Sequence, residues 1–147
     1  MKTSYIGADV DSKMTHLTVE CGKTKHRRRV PTTIPQLKEL LAGIGGRKVM
    51  TFEEGPLADW LYRNLKDSVE ELIICDPRRN RLISDDGSKS DVIDADKLAE
   101  LLRLGNLRAV YHSDSLDRVL LKQWVSLYHD RVRDAVRQVN KIRARCL

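Results

Sequence analysis

Short apolar runs that stop at carboxylates are what most restrict the folds open to this chain. Residues 4–10, Ser-Tyr-Ile-Gly-Ala-Asp-Val, read as a strand carrying Asp9, with Asp11 directly beyond it. Met14 to Cys21 alternates well enough to be its partner strand. Lys48 to Phe52 is a further apolar run, and it ends in Glu53-Glu54-Gly55-Pro56. An acid at a strand end, next to a Gly-Pro break, points into the crevice where open α/β sheets bind ligands.

A third acidic segment is Ser88-Lys89-Ser90-Asp91-Val92-Ile93-Asp94-Ala95. Asp91 and Asp94 are three apart at a helix start, so they share one face. The partial positive charge of a helix N-terminus keeps both ionised. Close ionised carboxylates repel unless something cationic sits between them, and a divalent metal is the usual answer. The plain structural alternative is a capping box, Ser88 with Asp91, followed by a solvated acidic turn. Asp96 is expected to take no part in metal binding.

The remaining pattern gives the order of elements. A third strand is expected at 25–30, then a helix from about Thr33 to Ala42 with Leu37, Leu40 and Leu41 apolar. Gly43-Ile44-Gly45-Gly46 follows a helix and precedes a strand, so it reads as a helix stop and not as a phosphate loop. A second helix is expected from about Pro56 to Lys66, with Leu57, Trp60, Leu61 and Leu65 on one side, and then a strand over Glu70–Cys75. Residues 76–90 hold Pro, Gly, Asn, Asp and Ser and read as a loop. Asp91 to Leu104 reads as a helix with Leu98, Leu101 and Leu102 for the core and Gly105 as its stop. Further on, Leu121, Val125, Tyr128, Val132, Ala135, Val139, Ile142 and Cys146 alternate spacings of four and three, the mark of a heptad seam.

Together these motifs resemble the N-terminal domain of the DEDD-motif insertion-sequence transposases of the IS110 type, relatives of the pilin-gene invertases. The likeness lies in Tyr5-Ile6-Gly7-Ala8-Asp9-Val10, in Phe52-Glu53-Glu54-Gly55, and most specifically in Lys89 to Ala95; Asp76-Pro77 stands where the family has an Asn-Pro or similar pair. The resemblance covers roughly residues 4–112. It implies an α/β, ribonuclease-H-like (RuvC-like) domain over 1–112, with a mixed sheet antiparallel at its start and flanking helices. It implies a long helical coiled-coil segment beginning at 113–147. It implies Asp9, Glu53, Asp91 and Asp94 as ligands of Mg2+ (or Mn2+) and as the catalytic acids of strand transfer on DNA. Asp11 competes with Asp9, and Glu54 with Glu53. The family continues with a coiled coil and a serine-bearing second domain that these residues lack, so a truncated transposase, a stand-alone relic or an N-terminal fragment is expected. The alternatives are a RuvC-like nuclease using metal-activated water and a non-catalytic DNA- or RNA-binding regulator. An actin-like ATPase would show further Gly-rich phosphate turns, and the sequence has none.

Charge agrees with a nucleic-acid partner. The net charge is +6, and basic residues cluster at Lys23, Lys25, His26, Arg27, Arg28 and Arg29, again at Arg78, Arg79 and Arg81, and along the tail from Arg131 to Arg145. Such clusters neutralise phosphates. Lys25, Arg27, Arg28, Arg29, Arg78, Arg79 and Lys89 are the expected contacts to DNA, and by the resemblance to a structured guide RNA. The heptad seam implies a homo-oligomer formed through the C-terminal helix. Cys21, Cys75 and Cys146 fit neither a metal spacing nor a disulfide framework, and the first two are expected to be buried thiols. His16, His26, His112 and His129 share no motif and are expected to be surface or structural. No run is long enough to span a membrane and no signal-peptide pattern is present, so a cytoplasmic location is expected.

Overall fold

The computed structural model describes residues 2–77, 91–110 and 115–146, the side chains of residues 91–93 excepted. The chain forms two compact units, Met1–His112 and Ser113–Leu147. The first is built on a five-stranded sheet, and the strand runs of the sequence become its strands. β1 (Thr3–Val10) pairs antiparallel with β2 (Met14–Cys21), from Tyr5 opposite Glu20 to Val10 opposite Thr15. β3 (Thr24–Pro31) folds back antiparallel on β2, with Cys21 opposite Thr24. Gly22, in the turn between them, has φ 65°, a conformation open to glycine at no steric cost. α1 (Ile34–Ala42) then crosses over to β4 (Arg47–Glu53), which pairs parallel with β1. α2 (Ala58–Leu65) and a short 3-10 turn (Lys66–Ser68) lead to β5 (Glu71–Cys75), parallel to β4. The strand order is β3-β2-β1-β4-β5. This is the mixed sheet, antiparallel at its start, of a ribonuclease-H-like fold.

The pleat sorts these strands into two faces. Ile6 and Ala8 pair with Val19 and Leu17 on one side and with Met50 and Phe52 on the other. All six are buried in one cluster with Ile74, Leu37 and Leu41 of α1, and Ala58, Leu61 and Leu65 of α2. The opposite face carries Gly7, Thr18 and Thr51, and it is covered by α3 (Asp91–Leu104). Ala95, Leu98, Ala99 and Leu102 of α3 are buried. Backbone of α3 lies directly on Gly7, where an added Cβ would overlap the carbonyl oxygen of Ala95 and the amide nitrogen of Ala99. Beyond α3 the chain returns to the sheet, where Ala109 bridges antiparallel to Cys75 and Val110 N–H donates to Ile74 O at 2.7 Å.

Some expectations need adjustment. The second helix is shorter than its apolar pattern, because Gly55 and Pro56 hold the chain in a turn until Ala58 and its last residues tighten into the 3-10 turn. Cys75 is buried, but Cys21 is only half-buried, since it ends β2 beside the turn.

In the second unit, α4 (Leu116–Arg145) is one continuous helix of 30 residues. Asp117 in its first turn and Arg143 and Arg145 in its last suit the helix dipole. Along the heptad seam Leu121, Val125, Tyr128, Val132, Val139 and Ile142 are exposed. Leu116, Leu120, Trp124 and Leu127 are exposed as well, so the apolar surface of the first half is broader than the seam alone. Among the described residues no helix is long and apolar enough to cross a membrane.

The seat at Gly7 gives a direct test. Gly7→Ala is expected to lower unfolding stability by about 2 kcal/mol or more, because α3 must move off the sheet to admit one methyl group. Gly45→Ala, where an added Cβ meets nothing within 4 Å, serves as the control and is expected to change stability little. Denaturant melts of the two variants against the parent make the comparison.

Candidate acidic site at the strand ends

Pairing of β1 with β4 ends at Ala8 and Phe52, so Asp9 and Glu53 are the next residue on each of two neighbouring parallel strands. Neighbouring strands lie about 4.8 Å apart. Asp9 is two residues beyond Gly7 and Glu53 two beyond Thr51, and Gly7 and Thr51 are themselves partners. Both acids therefore belong to the sheet face that α3 covers. On the flanks of this row His16 stands opposite Asp9, Arg29 opposite His16, and Cys75 beside Glu53. The row reads Arg29, His16, Asp9, Glu53, Cys75 across all five strands.

Side-chain pairing fixes the direction of α3. Near its C-terminus, Arg103 Nε donates to Glu20 at 3.2 Å, and Glu20 lies opposite Tyr5. Nearer its start, Asp96 accepts a 2.6 Å hydrogen bond from Thr18, which lies opposite Gly7. The helix thus runs antiparallel to β1, and its first turn lies toward Asp9. Asp91 is four residues ahead of Ala95, about 6 Å at 1.5 Å per residue. Asp9 is two residues beyond Gly7, about 6.6 Å at 3.3 Å per residue. The two advances match, which sets the start of α3 level with the Asp9–Glu53 row. Asp94 is half-buried there; Asp91 opens the helix, and its side chain is outside the described residues. Among the described residues no three His, Cys, Asp or Glu side chains are grouped closely enough to hold a metal ion.

The two pairs of competing acids differ in geometry. Asp11 lies in the exposed turn after β1, where its carboxylate accepts from Lys13 N–H at 3.3 Å and Ser12 Oγ–H at 3.5 Å. Those hydrogen bonds, the backbone ones first, hold its carboxyl below the ordinary carboxylate range. Glu54 has left the strand, and its backbone N–H donates to Cys75 O at 2.8 Å. Asp9 and Glu53 are the pair that shares a sheet face with α3.

Sequence reasoning passed over two members of this corner. His16 was set aside for want of a motif, yet register places it directly across from Asp9. Thr51, two residues before Glu53 on the same face, is fully buried, and its hydroxyl has no hydrogen-bond partner among the described residues. The alternation of β2 against β1 puts His16 on the face of Asp9, but only the register sets the two side by side.

The basic run of β3 is divided by its own alternation. Lys25, Arg27 and Arg29 lie opposite Glu20, Thr18 and His16, on the α3 face. His26 and Arg28 lie opposite Val19 and Leu17, on the other face. There, with Lys2 and Ser4, they line a cavity of about 500 Å³. Two of the expected nucleic-acid contacts are engaged within the protein. Lys25 Nζ is 2.7 Å from Glu20, and the Arg27 guanidinium grips both carboxylate oxygens of Asp96, with Nε at 3.0 and 3.2 Å. Arg28 donates to the Arg27 carbonyl at 3.1 Å, and Arg29 is exposed. Arg78, Arg79 and Lys89 lie outside the described residues.

Asp96 gives this network a pH signature. Hydrogen bonds from Arg27, then from Thr18, hold its carboxyl below the ordinary value of 3.8, against the opposing effect of partial burial. A carboxyl whose folded value is depressed stabilises the protein above its unfolded value, and that gain is lost as pH falls through the folded value. Asp96→Asn is therefore expected to cost about 1–2 kcal/mol at pH 7, the modest end for charged hydrogen bonds because water screens the exposed Arg27. The gap between parent and variant is expected to narrow as pH drops below about 4. Urea melts at several pH values read it directly.

A family model described as a transposase, of the DEDD IS110 type, matches residues 6–147, from within β1 through α4. No curated protein matches the chain. The matched stretch contains the sheet, the Asp9–Glu53 row and the helix that opens with Asp91. The chain belongs to the IS110-type DEDD transposase family.

Proposed function

We propose that this chain acts on DNA as the RuvC-like part of a transposase, and that Asp9, Glu53, Asp91 and Asp94 together bind a divalent metal, Mg2+ or Mn2+. The observation that carries this reading is the corner itself. Two carboxylates stand side by side near the ends of adjacent parallel strands on one face, and a helix with Asp91 and Asp94 in its first turn begins at about the same level. Carboxylate oxygens are the donors that hard divalent cations prefer, so the residues suit such an ion. When bound, the metal supplies charge stabilisation at phosphate oxygens during transesterification.

The protein's own residues do the positioning. β1 and β4 hold Asp9 and Glu53 on paired backbone, and the N-terminus of α3 favours the ionised form of Asp91 and Asp94. Arg29, in the same row as the acids, and Arg28, on the opposite face, neutralise phosphates. The family resemblance extends this reading to a structured RNA that selects the DNA, with Arg78, Arg79 and Lys89 as further contacts.

Metal titration tests the acids. Mn2+ or Mg2+ is expected to raise the melting temperature of the parent, because a cation bound only by the folded state stabilises it. Asp9→Asn and Glu53→Gln are expected to remove most of that rise, whereas Asp11→Asn and Glu54→Gln retain it. A parent indifferent to both ions, or equal losses in all four variants, counts against the site.

Salt dependence tests the basic strand. Binding to duplex DNA or RNA is expected to weaken steeply as salt rises. Replacing Arg28 and Arg29 together by Ala is expected to flatten the logarithmic salt slope by up to about two units. Replacing Lys25 is expected to change it less, because its charge is already matched by Glu20. A slope untouched by the double replacement removes β3 from the nucleic-acid surface.

A further inference from the structure

We infer that Asp96 is a positioning residue for the acidic corner, holding α3 on the sheet so that Asp91 and Asp94 stay level with Asp9 and Glu53. The inference rests on the metal reading above and names a residue outside its proposed ligand set. Asp96 lies two residues after Asp94, and its carboxylate is the junction of three elements. It accepts from Thr18 of β2 at 2.6 Å and from the Arg27 guanidinium of β3 through two nitrogens, and Lys25 Nζ approaches to 3.8 Å. Lys25 also reaches Glu20, which in turn takes Arg103 from the far end of α3. The network thus ties α3 at both ends to the β2–β3 hairpin, while Gly7 sets its height above β1.

Its location explains why a tether is needed there. Over Gly7, α3 meets β1 through Ala95 and Ala99, while Leu98 and Leu102 are buried elsewhere on the helix. Interdigitating side chains fix one packed layer on another, and at Gly7 the strand supplies none. A bidentate guanidinium–carboxylate pair is directional, so it fixes what the apolar contact leaves free. Near the start of α3, rotation of the helix would swing Asp91 and Asp94 away from the strand ends. Asp96 is where such rotation is blocked.

The test uses Mn2+ titration of the full chain, read by the free Mn2+ signal. Asp96→Ala and Arg27→Ala are each expected to weaken Mn2+ binding about tenfold, the scale seen when partners behind metal ligands are removed. The double variant is expected to be no weaker than either single one, because the two act as one clamp. Arg27 decides between explanations. Removing a cation near an acidic site strengthens Mn2+ binding if only net charge matters, whereas loss of positioning weakens it. Leu40→Ala, on α1 across the sheet, is expected to lower the melting temperature while leaving Mn2+ affinity unchanged, which separates positioning from general destabilisation. Restoration of affinity by Asp96→Arg combined with Arg27→Asp supports the clamp. Parent-like affinity in Asp96→Ala, or tighter binding in Arg27→Ala, overturns it. If the parent takes up no Mn2+, the metal reading falls, and hydrogen exchange at the first turn of α3 then judges the clamp. Faster exchange there in Asp96→Ala than in Leu40→Ala supports it, and equal exchange overturns it.

Discussion

Contact between α3 and β1 at Gly7 is the constraint on which the rest of the first unit depends. A helix packed on a sheet is ordinarily held off by side chains on both. Here the strand offers no side chain and the helix offers Ala95 and Ala99, so backbone meets backbone. One face of the sheet is thereby left largely polar, with Thr18, Glu20 and Thr51 buried on it. The opposite face carries the apolar core with α1 and α2. The two sides of one five-stranded layer thus differ in character, one largely apolar and the other largely polar.

Much of this was legible in the sequence, and the reasons are local. β2 alternates well enough to be read as a strand beside β1, and α1 carries Leu37 and Leu41 on one side. Glu53, read as an acid at a strand end, is the last residue of β4, and Asp9 lies one residue before the end of β1. Register was not legible. Nothing in the order of residues 1–60 says that Ala8 pairs with Phe52, and a slip of one residue would send Glu53 to the other face. The same gap hid the position of His16, which register alone sets across from Asp9. The tether at Asp96 was hidden for a related reason, since its partners Thr18 and Arg27 are 78 and 69 residues away in sequence.

Basic residues were the least faithful guide. Counted along the chain, Lys25 to Arg29 is one cluster of positive charge. Folded, it is two sets of side chains on opposite faces, and one set is largely matched by Glu20 and Asp96. A charge run in a strand should be halved before it is read as a surface, just as a run in a helix should be divided among its faces. The residual positive potential of β3 rests on Arg28 and Arg29, with Arg29 in line with the acids.

β3 also forms one border of the sheet, and β5 the other. Unpaired strand borders invite foreign strands, because their amides and carbonyls are ready to bond. At β5 the border is occupied by the segment around Ala109, whose neighbour Val110 bonds to Ile74. At β3 no strand pairs on the outer side among the described residues, and every residue from Lys25 to Arg29 is basic or a histidine. Two copies approaching through β3 would bring Arg28 and Arg29, the cations of the run that no carboxylate matches among the described residues, close to their own counterparts across about 5 Å, where like charge opposes the new backbone hydrogen bonds. The two borders of the sheet thus differ in kind, one carrying a covering segment and the other unmatched positive charge.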